Sequence, residues 1–379
     1  MKKERVGILT GGGDCAGLNA AVKWATKGLL DPNLQKQYDR DFEVVGIKNG
    51  WGGLQNFSPD ATGNDPDNIM HLDEGIVRTW DRHGGTNLFS SRTNPFKSEE
   101  SLKKTLTNIK KLELDAIIAI GGEDTQSVSM GLTKEGINVV SIPKTIDKDL
   151  IGTDYSLGFA TAVEVIKEEI GRLRTTAGSH NRIFVVETMG RHAGHLALQG
   201  GIAGGACMIL IPEVDFELEK VIKTLEARKH SGARYDILVV AEGAKPVRRH
   251  DVVLSKELDE FGHVLLGGVG ENLAKEIKKA GFAEVRFVVL SHLQRGGEPS
   301  QIDVRMGRAF GLAAAELIAQ RAYGLMVCLR DNVITSIPIL DAIRKDENGI
   351  TMTNRVDVDT EYDKERYIAT RRTLGMKMN

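Results

Sequence analysis

Short runs rich in valine and isoleucine recur along the 379-residue chain, and their pattern constrains the fold more than any other feature. Because these runs are apolar throughout rather than alternating, they are typical of strands that are buried on both faces of parallel sheets. They predict strands at 5 to 9, 43 to 47, 115 to 120, 138 to 142, 183 to 187, 207 to 211, 236 to 241, 286 to 291 and 325 to 329.

Helical periodicity lies between these runs. In TAVEVIKEEIGRL, from 161 to 173, the apolar residues form one stripe at three- and four-residue spacing, and VGENLAKEIKKAG, from 269 to 281, repeats that pattern before its closing glycine. The alternation of strands and helices predicts an α/β fold, and the length favours two domains with a cleft. The least globular stretches are a polar loop at 58 to 68 and a charged tail from about Arg344.

Charge and cysteine content exclude several classes of function. The 50 Lys and Arg residues against 52 Asp and Glu give a net charge of −2, which argues against a broad grip on nucleic acid or on an anionic membrane. Cys15, Cys207 and Cys328 are scattered without metal-ligand spacing, so we expect buried thiols in a reducing compartment and no structural zinc. The first residues enter a strand-like run without a signal sequence, which favours a soluble cytoplasmic protein.

Polar residues that follow the apolar runs are candidates for chemistry, because ligands of parallel sheets gather beyond the carboxyl ends of the strands. After the first run, the backbone N–H groups of Gly11, Gly12 and Gly13 could approach a phosphate closely. The spacing is not the Walker pattern, and a plain tight turn is the alternative. Arg92, among hydroxyl residues in GGTNLFSSRTNPF, is a candidate phosphate clamp, with an ordinary solvated arginine as the alternative.

The stretch GGEDT, from 121 to 125, puts two carboxylates where a glycine turn usually invites an anion. Carboxylates beside an anion site repel the ligand unless a cation lies between them, so Glu123 and Asp124 predict magnesium bridging to phosphate oxygens. The alternative is that Asp124 or Thr125 caps the following helix.

Downstream, PKTIDKDL gathers Lys144, Thr145, Asp147, Lys148 and Asp149 after a predicted strand. A carboxylate flanked by cations and a hydroxyl suits a general base that deprotonates an alcohol for phosphoryl transfer, although a charged surface turn would explain the same residues. A further set of polar residues at strand ends suggests a second phosphate, carried by the substrate. Its members are Arg182, Arg191, Glu242, Arg286, His292 and Arg295.

Together these clusters predict a phosphotransferase with a phosphorylated alcohol as substrate, and their motifs also resemble those of the phosphofructokinase family. The resemblance runs in order from Gly7 to about Arg308 and rests on LTGGGD, GGTNLFSSR, GGEDT, PKTIDKDL, GTDYSLGF, ETMGRHAG, IAGGA, PE and HLQRGG. It implies two similar three-layer α/β lobes with mostly parallel sheets and an active site in the cleft. The donor lobe would comprise 1–158 with a return at 294–344, and the sugar-phosphate lobe 159–293 with the tail 345–379.

The same resemblance implies roles for individual residues. Asp147 would be the general base on the sugar 1-hydroxyl, with Thr145 beside it and Arg191 at the transferring phosphoryl group. Arg182 would reach the substrate phosphate of a neighbouring subunit, which implies a homodimer or homotetramer. The fructose 6-phosphate pocket would comprise Met189, Gly190, Glu242, Arg286, His292 and Arg295. The donor phosphate site would comprise Gly12, Gly13 and Arg92, with Glu123 holding Mg²⁺.

Two positions indicate the phosphoryl donor. ATP-using members of the family generally have glycine where this chain has Asp124 and Lys144, whereas pyrophosphate-dependent members resemble this chain. Asp124 would crowd and repel the α-phosphate of a nucleotide, and Lys144 would offer pyrophosphate a cation. The expected reaction is reversible transfer from pyrophosphate to the 1-hydroxyl of D-fructose 6-phosphate in glycolysis, giving fructose 1,6-bisphosphate and phosphate.

Alternatives stay open at this point. The same fold could use ATP, or accept sedoheptulose 7-phosphate as a second substrate. A lipid or dinucleotide kinase shares a similar glycine turn. The alternative that is not an enzyme is a catalytically inactive regulatory subunit, although such a subunit should have lost Asp147 or Arg191. Three residues depart from the family pattern: Glu123 replaces a usual aspartate, Lys148 a usual asparagine and Phe89 a usual glycine. Only Lys23 matches the basic residues that bind allosteric effectors in bacterial ATP enzymes.

Overall fold

The computed structural model describes residues 3–60, 63–247, 267–347 and 349–370. Residues 248–266 of the predicted second lobe and 371–379 of the predicted tail lie outside the described residues. Each predicted apolar run forms a strand, and both predicted amphipathic segments form helices, as their periodicity indicates. The edge strands near residues 69 and 333 and the short pair after 362 were not predicted.

The strands are β1 (Glu4–Thr10), β2 (Phe42–Ile47), β3 (Ile69–Leu72), β4 (Ala116–Gly121), β5 (Val139–Pro143), β6 (Ile183–Thr188), β7 (Met208–Leu210), β8 (Asp236–Ala241), β9 (Val285–Val289), β10 (Leu325–Arg330), β11 (Val333–Pro338), β12 (Tyr362–Asp363) and β13 (Ile368–Ala369). The α-helices are α1 (Leu18–Leu29), α2 (Pro32–Tyr38), α3 (Trp51–Asn56), α4 (Glu74–Val77), α5 (Glu99–Lys111), α6 (Glu123–Lys134), α7 (Phe159–His180), α8 (His195–Gly204), α9 (Leu218–His230), α10 (Val269–Lys279), α11 (Gln301–Ala319) and α12 (Ile339–Ala342). Single 3₁₀ turns occupy Trp80–Arg82, Pro95–Lys97 and Ser291–Arg295.

The chain forms two compact units, and it passes from one to the other more than once. Unit 1 consists of Met1–Thr145, Leu150–Thr161 and Arg295–Met352, and unit 2 of Ile146–Asp149, Ala162–Gln294 and Thr353–Asn379. The division of roles between a donor lobe and a sugar-phosphate lobe stays a prediction.

Unit 1 is built on a seven-stranded sheet in the order β11-β10-β5-β4-β1-β2-β3. Its five central strands are parallel, while β3 and β11 run antiparallel at the two edges. Residues such as Ile8, Ile117 and Val139 are fully buried, as expected for strands covered on both faces. Because β1, β4 and β5 are neighbours, the residues after each of them meet at one edge of this sheet.

Unit 2 is built on a four-stranded parallel sheet in the order β7-β8-β6-β9. The tail, which the sequence suggested was one of the least globular stretches, packs on this unit over its described part from residue 353. Tyr362 and Tyr367 are only 3% and 2% exposed, and the Tyr362 hydroxyl donates to the carbonyl oxygen of Ile209 in β7. That expectation was wrong because it was based on charge alone, and the two tyrosines supply the apolar surface.

Two smaller findings concern the described residues. No helix among them is both long enough and apolar enough to cross a membrane. The three cysteines are free thiols, with Cys15 and Cys328 buried and Cys207 half-buried.

Candidate functional site

The glycine turn after β1 is closely packed on two sides within unit 1. A Cβ atom on Gly11 would lie 2.6 Å from Oγ1 of Thr125, and one on Gly13 would lie 2.6 Å from Nη1 of Arg295. The Gly12 N–H donates to the carbonyl oxygen of Ser91. The glycines are therefore required by close approach, and the turn leaves its backbone near cationic groups.

Two cations converge on this turn, here called the donor turn (Gly12–Asp14). Nζ of Lys144 donates to the carbonyl oxygen of Gly13 at 2.5 Å, and the Lys144 side chain is almost fully buried. Nη1 of Arg295 donates to the carbonyl oxygen of Asp14 at 3.1 Å. A buried ammonium and a guanidinium beside a glycine turn suit a phosphate-binding site. Sequence reasoning placed Arg295 with the sugar phosphate and did not predict this contact.

Glu123 and Asp124 form the first turn of α6, whose N-cap residue is Gly122. The alternative that Asp124 or Thr125 caps this helix is therefore wrong. Thr125 is instead buried against Gly11 and Gly121. Lys144 N–H donates to the carbonyl oxygen of Gly121, since the ends of β4 and β5 are paired. The two positions that were predicted to select the donor, 124 and 144, thus follow adjacent strand ends.

The carboxylates near the donor turn suit a metal that is shared with a substrate. Among the described residues, no group of three or more histidine, cysteine, aspartate or glutamate side chains could hold a metal ion by itself. Glu123 and Asp124 are half-buried and adjacent. Mg²⁺ commonly takes one or two carboxylates and completes its shell with substrate phosphates and water, so these residues fit such an ion.

Arg92 lies in the segment that packs on the donor turn. The hydroxyl of Ser90 donates to the carbonyl oxygen of Gly12 at 2.5 Å, and Arg92 itself is exposed two residues later. Phe89, which precedes this pair, has a left-handed backbone with φ of 55° and a side chain that is 56% exposed. The left-handed conformation gives a physical reason for the glycine that the family usually has at this position.

In unit 2, the residues after β6 and β8 form a second group. Oε1 of Glu242 accepts a hydrogen bond from the Arg191 N–H at 3.0 Å, and the Glu242 N–H donates to the carbonyl oxygen of Thr188. The Met189 N–H donates to Oε1 of Gln294, which is fully buried. Met189, Gly190, Arg191 and Glu242 are therefore brought together; Arg191 and Glu242 were grouped by their strand ends and Met189 and Gly190 by the family resemblance, and their role in binding the sugar phosphate stays a prediction. His292 lies in the 3₁₀ turn Ser291–Arg295 and is exposed.

The carboxyl group of Glu242 in this group has a raised pKa. Burial raises the pKa of Glu242 to about 7, and the carboxylates of Asp147 and Glu187 act in the same direction against the backbone N–H of Arg191. Asp147 is itself only 6% exposed. Because the pKa of Glu242 lies near neutrality, its carboxyl group can exist as acid or as base under ordinary conditions, which suits contact with hydroxyl groups that lose protons.

Arg182 and Arg286 lie elsewhere in unit 2. Both contact Oε2 of Glu284, at 3.1 and 3.4 Å, near the amino ends of β6 and β9. The six residues of β6 separate Arg182 from Met189 by roughly 20 Å. The structure thus places these two arginines at one carboxylate, Glu284, and separates both of them from Glu242 and Gly190.

Comparisons with known proteins identify the family. The sequence profile of the family described as Phosphofructokinase matches residues 5–318. The chain belongs to the phosphofructokinase family.

Among relatives of this phosphofructokinase is a protein of Dictyoglomus thermophilum named pyrophosphate--fructose 6-phosphate 1-phosphotransferase. It is 46% identical over 340 residues, which cover 89% of this chain and 93% of the relative. A protein of Chloroflexus aurantiacus named ATP-dependent 6-phosphofructokinase is 39% identical, covering 90% of this chain and 91% of the relative. The crystal structure of a pyrophosphate-dependent phosphofructokinase from Marinobacter aquaeolei, 22% identical, superposes with a TM-score of 0.75 over 97% of this chain and 89% of its own. The last likeness supports the predicted fold.

Sequence reasoning missed two buried residues of this phosphofructokinase. Gln294 holds Met189 in place and also donates to the carbonyl oxygen of Ser291. Glu187, 2% exposed, accepts the N–H groups of Gly268 and Gly270. Both lie inside quoted motifs, HLQRGG and ETMGRHAG, but their partners depend on contacts between separate segments of the chain.

Proposed function

We propose that this phosphofructokinase transfers a phosphoryl group from pyrophosphate to the 1-hydroxyl of D-fructose 6-phosphate, giving fructose 1,6-bisphosphate and phosphate. The observation that carries the choice of donor is Lys144 on the donor turn beside the strand end that leads to Asp124. The relative at 46% identity, which is named for that activity, supports the same choice.

The donor site would consist of Gly12, Gly13, Arg92, Asp124 and Lys144. Lys144 would interact with negative charge as it moves onto the departing phosphate, and its hydrogen bond to Gly13 would hold the ammonium group in place. Asp124 would exclude the α-phosphate of a nucleotide by charge and size.

Asp147 would take the proton of the sugar 1-hydroxyl, with Thr145 two residues before it. Its low exposure would keep water from competing with the sugar hydroxyl, and Arg191 would stabilise the transferring phosphoryl group. Met189, Gly190, Glu242, His292 and Arg295 would bind fructose 6-phosphate. The hydrogen bond from Arg295 to Asp14 would anchor this arginine to the donor turn as well.

The divalent metal would be Mg²⁺, held by Glu123 together with phosphate oxygens of the substrates. When bound, it would neutralise charge on those oxygens. We further propose a homodimer or homotetramer in which Arg182 reaches the sugar phosphate of a neighbouring subunit. The position of Arg182 at the amino end of β6 supports this, since its own chain keeps it far from Gly190.

Turnover of fructose 6-phosphate in the presence of magnesium, measured once with pyrophosphate and once with ATP as the phosphoryl donor, tests the proposed function. We expect fructose 1,6-bisphosphate and phosphate from fructose 6-phosphate and pyrophosphate, and the reverse conversion of fructose 1,6-bisphosphate and phosphate to fructose 6-phosphate and pyrophosphate. Activity with ATP alone would overturn the proposed donor. ATP is the second candidate because a relative at 39% identity is named for it.

A further inference from the structure

The described end of the chain is fixed to unit 2 far beyond the part that matches the family. We call residues 353–370 the C-terminal strap. Tyr362 donates to the carbonyl oxygen of Ile209 at 2.6 Å, and the hydroxyl of Tyr367 accepts the Glu217 N–H at 2.8 Å. The family profile ends at residue 318, so the strap is a feature that the family pattern leaves without a role.

The strap contacts the loop that carries Asp147. The Asn354 N–H donates to the carbonyl oxygen of Asp149 at 2.7 Å, and Nδ2 of Asn354 donates to the carbonyl oxygen of Lys148 at 2.9 Å. One residue therefore binds two consecutive peptide groups directly after Asp147.

The loop adopts a conformation that needs such support. Lys148 has a left-handed backbone with φ of 56°, which is unfavourable for a long side chain and better tolerated by asparagine. The asparagine that the family usually has here would adopt it more readily. The ammonium group of Lys148 also acts on the carboxyl group of Glu361 in the strap, opposing the rise in its pKa that burial causes.

A second connection runs through Glu213, the glutamate of the PE motif. Its Oε1 accepts the N–H of Gly194 at 2.8 Å and the N–H of Val356 at 3.0 Å. Gly194 directly precedes α8, whose first residue, His195, is buried. Glu213 therefore fastens the strap to the segment that follows Arg191, which gives this motif a structural role.

We propose that the C-terminal strap positions the loop Ile146–Asp149, with Asn354 as the residue that fixes the carbonyl groups after the general base. The inference rests on the proposed function in so far as Asp147 is that base. Asn354 acts through the loop and contacts no reacting atom.

Asn354→Ala tests the proposal, with Tyr362→Phe as a matched control. Each variant removes one side-chain hydrogen bond from the strap to a main-chain carbonyl group. We expect Asn354→Ala to lower kcat about tenfold while KM for both substrates changes by less than about twofold, because a lost positioning bond acts on the reacting complex. Tyr362→Phe should lower the melting temperature and leave kcat within about twofold of wild type. Equal losses of kcat in both variants, or none in Asn354→Ala, would overturn the proposal.

Combination with Lys148→Asn sharpens the test. If the strap compensates for the left-handed lysine, Asn354→Ala should cost kcat only about threefold in the Lys148→Asn background, because asparagine favours the required conformation. A loss as large as in the Lys148 background would contradict that link.

Hydrogen exchange of the amides at 146–149 gives a measurement that does not depend on turnover. Exchange should be faster in Asn354→Ala than in Tyr362→Phe or wild type. If the wild-type enzyme used neither pyrophosphate nor ATP, the proposed function would fail, and the exchange comparison would still decide whether the strap orders this loop.

Discussion

Unit 1 brings cations to a glycine turn, whereas unit 2 buries carboxylates in the loop Ile146–Asp149 and near the carboxyl ends of β6 and β8. Lys144 and Arg295 both donate to the donor turn, while in unit 2 burial, with the nearby carboxylates of Asp147 and Glu187, raises the pKa of Glu242. Cations bind phosphate strongly, and carboxylates in a medium of low polarity acquire raised pKa values. Under the proposed function, unit 1 would bind the phosphates of the donor, and the carboxylates of unit 2 would handle protons and sugar hydroxyls.

The largest expected effect concerns the proton. Asp147→Asn removes the proposed base, and we expect kcat to fall by about 10² to 10⁴. Because the same group would return the proton in the reverse reaction, turnover from fructose 1,6-bisphosphate and phosphate should fall by the same factor. Initial rates in both directions check this, with the melting temperature as the control for folding. A variant that keeps full activity would show that unit 2 holds no base at this position.

The next effect concerns the donor. Lys144→Gly should lower kcat/KM for pyrophosphate by roughly 10² to 10³, because a buried cation on the donor turn is lost. The double variant with Asp124→Gly should gain measurable ATP turnover. Lys134→Ala, which removes a cation from the far end of α6, should change neither. Full pyrophosphate activity without ATP use in the double variant would contradict the steric argument.

The sequence predicted one of these two groups better than the other. The donor turn follows the first strand directly, and its glycines, Lys144 and the GGEDT stretch all lie at carboxyl ends of strands, where ligands of parallel sheets are expected. The link between Asp124 and Lys144 came from the family resemblance. Arg182 and Arg286 also border apolar runs, but at their amino ends. Sequence reasoning accepted polar residues at either end of a run and therefore grouped these arginines with Glu242, from which the structure separates them.

Other features depend on contacts that no local pattern encodes. Asn354 reaches Lys148 across more than two hundred residues of chain, and Gln294 reaches Met189 across 105. The left-handed conformations of Lys148 and Phe89 were visible only as departures from the family pattern, because neither residue type favours positive φ. Local propensity could not predict backbone strain that tertiary contacts impose.

Glu242 gives a prediction of intermediate size. Its pKa is raised to about 7 in the folded protein, so the folded protein binds this proton more tightly than the unfolded chain does. The stability that this proton contributes is present below the unfolded pKa and is lost as pH rises through about 7. Relative to wild type, Glu242→Gln should therefore gain up to about 3 kcal/mol of unfolding free energy between pH 4 and pH 8. Urea unfolding of both proteins across this range checks the prediction. If the difference in unfolding free energy between them stays constant with pH, the pKa of Glu242 is not raised in the folded protein.

The smallest effect tests whether a strained, left-handed backbone serves activity in unit 1 as proposed for unit 2. In unit 2, Lys148 is one of several residues with a left-handed backbone and borders the proposed base, whereas in unit 1 the left-handed Phe89 carries an exposed ring. Phe89→Gly and Phe89→Ala both delete that ring, but only glycine removes the backbone cost, so the glycine variant should be more stable than the alanine variant by about 1 kcal/mol. Urea unfolding measures this difference, and kcat with pyrophosphate should be equal in the two variants. A lower kcat in Phe89→Gly alone would mean that the strained backbone also holds Ser90 on the donor turn, and that strain supports function in both units.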